Sequence, residues 1–307
     1  MSADSKISLS ELRTSGDSLL NIACEDGYRD TTPLIHSRKG QTRAGFDEHR
    51  EPLTHILNKS FAEKFFSSCF NEEKTRLTSK ELLAFYSLKF NCNISFDSEK
   101  DHHNRMVGSL WFALCNETMG DQIPNPRWND FGFQNIDPRT DFRGAGLTGL
   151  NMLIHYAENY PERIKRMAES KDDFLAAASS INVTHHLIKY FHLLNSLVYE
   201  KDKAEICSRK ALKNFCKFLV RDEDVLYNFH ELLFTDLYEI WVDLKKKKKG
   251  VTIMDFKICL DEMKRKLNVA MNWTHYKNYD QFKLKYSNLS NWDGKAQCNF
   301  GIFFISC

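Results

Sequence analysis

No apolar run in this 307-residue sequence approaches the roughly 18 to 20 residues that a membrane-spanning helix requires. The first residues, MSADSKISLS, lack the apolar core of a secretory leader. Charge of one sign is also missing: 43 Lys and Arg against 41 Asp and Glu leave a net charge of +2, too little for the broad field that gathers nucleic acid. The nine cysteines, at positions 24, 69, 92, 115, 207, 216, 259, 298 and 307, are scattered and odd in number, with no C-x-x-C pair for zinc or redox chemistry. These absences lead to the expectation of a cytoplasmic, soluble protein with reduced thiols, no nucleic-acid partner and no transmembrane segment. Position two is Ser rather than Gly and Cys307 is the last residue rather than the fourth from the end, so neither lipidation pattern is met. Any association with internal membranes is expected to be peripheral, through a partner.

Signatures of familiar chemistry are equally scarce. There is no G-x-S-x-G elbow, no P-loop and no H-E-x-x-H helix. The histidine pairs His102-His103 and His185-His186, with His192, lack acids at ligand spacing, so no metal is expected. Gly144, Gly146 and Gly149 spell G-x-G-x-x-G, but that fingerprint needs an apolar strand before it. Here Asp137-Pro138-Arg139-Thr140-Asp141-Phe142-Arg143 precedes the glycines and cannot be a buried strand. A dinucleotide site is rejected, and no cofactor is expected.

What the sequence has in abundance is helical periodicity. Leu53, Leu57, Phe61 and Phe65 recur every four residues and predict a helix to about Cys69. Thr78 with Glu81 forms a capping box ahead of Leu82, Leu83, Phe85, Tyr86 and Phe90. Ser98 is expected to open a helix carrying Met106, Leu110 and Leu114, and Pro124 and Pro126 make 119–140 an irregular connection. Pro161 suits a first helical position, with Asn159 a candidate cap. Stripes follow at Phe174, Ala178 and Ile181; at Leu187, Phe191 and Leu194; at Ile206, Ala211, Phe215 and Phe218; from Val225 to Trp241; and at Met254, Cys259, Met263 and Leu267. Alternating strand patterns are nearly absent, which predicts an all-α domain built by packing such stripes together. The expected organisation is a flexible arm over 1–50, a compact multi-helix domain over 51–270 and a tail over 271–307, either hairpin or docked helix. The run Lys245 to Lys249 reads as a solvated loop between helices rather than a lipid or import patch.

One stretch holds charged side chains against the core: WNDFGFQNIDPRTDFRGAGLTGLNMLIHY, Trp128 to Tyr156. Thr140 or Asp141 is expected to cap a helix bearing Leu147, Leu150, Ile154 and Ala157, with the glycines admitting a neighbouring helix. Arg143 would then lie in the first turn, where a cation opposes the helix dipole. It needs either an ion pair with Asp137 or Asp141 or an anionic ligand.

This stretch resembles the signature of the ELMO domain: Trp128, Gly132-Phe133-Gln134, Asp137-Pro138, Thr140-Asp141-Phe142-Arg143-Gly144 and Gly146, followed by a Leu-rich helix. Phe131 departs mildly, standing where the family usually has a smaller aliphatic. The resemblance runs from about residue 75 to the MDFKICL segment near 260. It implies an all-helical domain and one of two activities. Single-domain members are GTPase-activating proteins for Arf and Arf-like small GTPases, and the Arg of Asp-Phe-Arg-Gly, here Arg143, is their presumed catalytic residue. Larger members lack that Arg and act as scaffolds for a Rac exchange factor. The implied partner is a GTP-bound Arf or Arf-like protein that brings its own nucleotide and Mg²⁺. Gln134, Asp137, Thr140, Asp141, Gly144 and Gly146 are expected to support Arg143, with Asp137 and Asp141 aiming it. The alternative is a non-catalytic adaptor or scaffold that binds a small GTPase or a Rac exchange factor through the same helical surface.

Overall fold

The structure, a computed structural model, describes residues 77–120, 123–169, 172–195, 206–273 and 276–289. The helix expected at Leu53 to Cys69, the arm over 1–50 and the last residues, from 290 on, lie outside the described residues. Within them nine α-helices appear and no strand, in agreement with the all-α reading. They are α1 Ser79–Cys92, α2 Asp101–Cys115, α3 Gly146–Asn159, α4 Pro161–Glu169, α5 Ala176–Tyr190, α6 Arg209–Arg221, α7 Val225–Lys247, α8 Phe256–Met271 and α9 Tyr279–Ser287.

Local chemistry sets several boundaries where the sequence puts them. Thr78 and Glu81 close the capping box of α1, the Thr78 N–H donating to the Glu81 carboxylate at 2.7 Å. Pro161 begins α4, although Asn159 ends α3 rather than capping the next helix. Three boundaries differ. Helix α2 starts at Asp101, with Lys100 before it making no side-chain cap, because residues 97–100 form a turn closed by the Lys100 N–H to the Asp97 carbonyl at 3.2 Å. The stripes around Ile181 and Leu187 belong to one helix, α5. The first three lysines of the run are helical and only Lys248 and Lys249 lie in the loop: α7 continues to Lys247, and Lys245, Lys247 and Lys248 pair with Asp173, Asp243 and Asp255, each at 2.8 Å. A basic last turn complements the negative end of the helix dipole, so the helix is extended by the charges that suggested its end.

Helix α3 lies at the centre, packed on α2 and α5; α5 packs on α7, α7 on α8, and α6 on α1. Its side chains are buried nearly all round, from Leu147 to Ala157, which explains why it reads as almost uniformly apolar. Aromatic rings fill the body: Phe191 stacks on Phe215 at 3.9 Å, and Phe229 meets Phe282 at 4.7 Å. Within the described part of 271–307, helix α9 is a docked helix and not a hairpin. It docks through Phe282 and Tyr286, and the Tyr286 hydroxyl donates to Asp236 Oδ2 at 2.6 Å. Asp236 is in turn paired with Lys266 at 2.6 Å, so three helices meet on one buried carboxylate.

A candidate functional site on the motif loop

The charged motif folds as two short 3-10 turns, Pro126–Phe131 and Pro138–Arg143, built to one plan. In each, an Asx residue precedes proline and arginine, and its side chain accepts the arginine amide: Asn125 from Arg127 at 2.9 Å, Asp137 from Arg139 at 3.0 Å. Proline presets the backbone of the first turn position and has no amide to leave unsatisfied. The Asn125 N–H donates to the Ile136 carbonyl at 2.8 Å and closes the loop on itself.

Aromatic anchors fix this loop to the core. Trp128 is fully buried, 4.9 Å from Trp111 and 5.1 Å from Phe133; Phe133 is 6.1 Å from Phe142, and Phe142 is 5.7 Å from Phe96. Between the anchors the polar residues turn outward: Gln134 and Arg143 are exposed, while Asp137, Thr140 and Asp141 are half-buried.

Two glycines hold the loop close to its neighbours. At Gly132, φ is +81° and an added Cβ would lie 2.5 Å from the Ala176 nitrogen, with the Gly132 carbonyl accepting the Ala178 N–H at 3.2 Å. One of the four amides left open at the start of α5 is thereby satisfied by the loop. At Gly146, φ is +55° and a Cβ would lie 2.4 Å from the Ile94 carbonyl oxygen. The close neighbour here is the segment after α1, reached also by the Leu147 N–H at 3.0 Å, rather than a packed helix as expected.

The arginines divide the labour differently from the sequence expectation. Asp137 pairs with Arg139, through Nε at 2.9 Å and Nη2 at 2.8 Å. The hydrogen bond from the Arg139 side chain holds the Asp137 carboxyl below its ordinary pKa. Asp141 accepts the Gln134 N–H at 2.8 Å, and burial of its carboxyl pushes its pKa up. Neither acid forms an ion pair with Arg143 among the described residues. Arg143 lies in the last turn of the second 3-10 turn, not in the first turn of α3, and Nε donates to the Thr140 carbonyl at 2.7 Å. Thr140 is pinned by donating its hydroxyl to the Asp137 carbonyl at 3.0 Å. Neither Thr140 nor Asp141 caps α3: Ala145 occupies that position, with no side-chain bond.

Beside this turn lies a cleft of about 230 Å³, lined by Gln134, Asp141 and Gly144 from the loop and Ala178, Ile181, Asn182 and His185 from α5. The α5 wall escapes the sequence reading. Only the structure shows that exposed Asn182 interrupts an otherwise buried run between Ser179 and Thr184. No group of acids, histidines and cysteines suited to a metal occurs among the described residues.

Fold and loop together define a class: an all-helical domain with an aromatically anchored turn that leaves Arg143 exposed. The ELMO/CED-12 family model matches residues 87–260, more than half of the chain, and the chain belongs to that family. Mouse ELMO domain-containing protein 2 is 34% identical over 169 residues, covering 51% of this chain and 57% of that protein. ELMO domain-containing protein C of Dictyostelium discoideum is 22% identical over 215 residues, covering 70% of this chain but 34% of that protein. The chain therefore spans about a third of the Dictyostelium protein and under two thirds of the mouse one. No solved structure matches. No helix among the described residues is long and apolar enough to cross a membrane.

Proposed function

We propose that this protein binds Arf or Arf-like small GTPases and stimulates their GTP hydrolysis, with Arg143 supplied in trans as the catalytic arginine. The observation that supports this most directly is the state of Arg143: it is exposed, Nε donates to a backbone carbonyl, and its charge is felt by Asp141 without an ion pair between them. That single bond orients the guanidinium and leaves the forked end outward. GTP hydrolysis builds charge on phosphate oxygens, and a planar, always-charged fork matches two of them at once. An arginine supplied in trans is worth about 10³ to 10⁵ in rate for known GTPase pairs. The protein would hydrolyse no nucleotide itself, since nucleotide and Mg²⁺ come with the partner.

Hydrolysis by a panel of GTP-loaded Arf and Arf-like proteins, with wild type, Arg143→Lys and Arg143→Ala, tests the reading. Stimulation is expected from the wild type, with a loss of at least about a hundredfold in both variants. Equal stimulation by all three removes Arg143 from the mechanism. Binding that persists without stimulation by the wild type, on every GTPase tried, would show the adaptor instead.

A further inference from the structure

Helix α6, RKALKNFCKFLVR, carries five cations and no acid. At 100° per residue, Lys210, Asn214, Lys217 and Arg221 form one stripe. Lys210, Lys217 and Arg221 are exposed, while Asn214 turns inward and donates to the Met271 and Trp273 carbonyls at 3.2 and 2.9 Å. The stripe therefore runs beside the segment joining α8 to α9. That segment exposes 43% of Trp273. Lys285 of α9 sits over the indole, its Nζ 5.6 Å from the ring centroid, and exposed Lys277 follows on the same connection. Val269, one turn before Trp273, is 45% exposed and Leu284, beside Lys285, 65%.

The nearby acids are fewer than the cations: Asp222, Glu223 and Asp280, the last two exposed. Asp222 accepts hydrogen bonds from the Asn228 side chain at 2.6 Å and the Asp224 N–H at 2.9 Å, and Asp280 accepts one from Asn278 at 3.2 Å. The five-lysine run, a more conspicuous charge cluster, has three of its members paired with carboxylates.

From this face we infer that α6, the α8–α9 connection and α9 dock peripherally on an anionic lipid surface. The lysines meet the headgroup charge, and the indole with Val269 and Leu284 enters the headgroup layer. Cations alone would suit any polyanion; an exposed Trp, with exposed aliphatic side chains on the adjoining α8 and α9, adds what an interface between water and hydrocarbon selects. Clusters of four to eight cations on a helical face suit acidic lipids, each worth about fivefold in partitioning near the surface.

Co-sedimentation of the full chain with vesicles of phosphatidylcholine alone, or mixed with phosphatidylserine, tests this. The wild type is expected to bind the mixed vesicles and not the neutral ones, and to be released by high salt. Lys217→Glu with Lys277→Glu should lower binding by at least about 25-fold, and Trp273→Ala should weaken it with the helical circular dichroism unchanged. Lys246→Glu with Lys249→Glu, in the lysine run, should leave it intact. Absence of binding to mixed vesicles, equal binding to neutral ones, loss through the Lys246 and Lys249 pair alone, or binding to RNA without binding to vesicles each overturns the inference.

Discussion

At the residue scale, the motif loop shows how neighbouring charges acquire different fates. Arg139 and Arg143 stand four positions apart, yet Arg139 is held by both oxygens of Asp137, while Arg143 holds only a carbonyl. The reason is the turn geometry: a residue two after the Asx cap folds back on it, and one six after does not. The glycines divide in the same way. Gly144 has φ of −86° and its nearest obstacle is the His185 ring at 3.9 Å, so Gly144→Ala is expected to change stability by under about 0.5 kcal/mol. Gly146→Ala forces a side chain into the left-handed region and against the Ile94 carbonyl, and should cost about 2 kcal/mol or more. Urea denaturation of the two variants checks the contrast; equal midpoints would contradict it.

At the scale of elements, the buried contact between Lys266, Asp236 and Tyr286 ties α8 to α7 and α9. Lys266 is 3% and Asp236 9% exposed, so removing either partner strands a charge away from water. Lys266→Met should cost about 3 to 5 kcal/mol, and adding Asp236→Leu should recover part of that, because it removes the stranded charge although the buried Tyr286 hydroxyl then loses its acceptor. A double-mutant cycle in urea measures it; no recovery in the double variant would show that packing, not the charge, decides the cost. Elements with a 3.6-residue stripe, such as α6 and α7, were legible in the sequence because their periodicity is their burial pattern. Arg143 and its polar neighbours were legible as a constellation through the motif. Three features were not. The 3-10 turns have no apolar period, although the repeated Asx-Pro-Arg marks both. The ion pair of Lys266 with Asp236 joins residues on different helices. The α5 wall of the cleft depends on the backbone contact at Gly132, which leaves no trace in local sequence.

For the molecule as a whole, buried histidines are expected to contribute to the response to acid. His230 is 1% exposed, bonded to the Ser180 hydroxyl at 2.9 Å, and burial brings its pKa down to about 3. Burial also lowers His103 and His192. A group whose folded pKa is depressed gives its full stabilisation above the unfolded value of 6.5 and loses it as pH falls toward the folded value. For His230 that window is pH 6.5 to about 3, at no more than about 1.4 kcal/mol per pH unit. The urea midpoint is therefore expected to fall between pH 7.5 and 5.5, and His230→Gln should shrink that fall. An unchanged difference would assign the acid response to other groups.

The amide of Ala178 bonded to the carbonyl of Gly132 has a mechanical meaning. Loop and helix share a hydrogen bond across a gap too narrow for a methyl group, so neither can shift without the other. The conformational entropy of shaping this surface is surrendered when the chain folds, so under the proposed function a visiting protein would meet a finished mould instead of having to cast one.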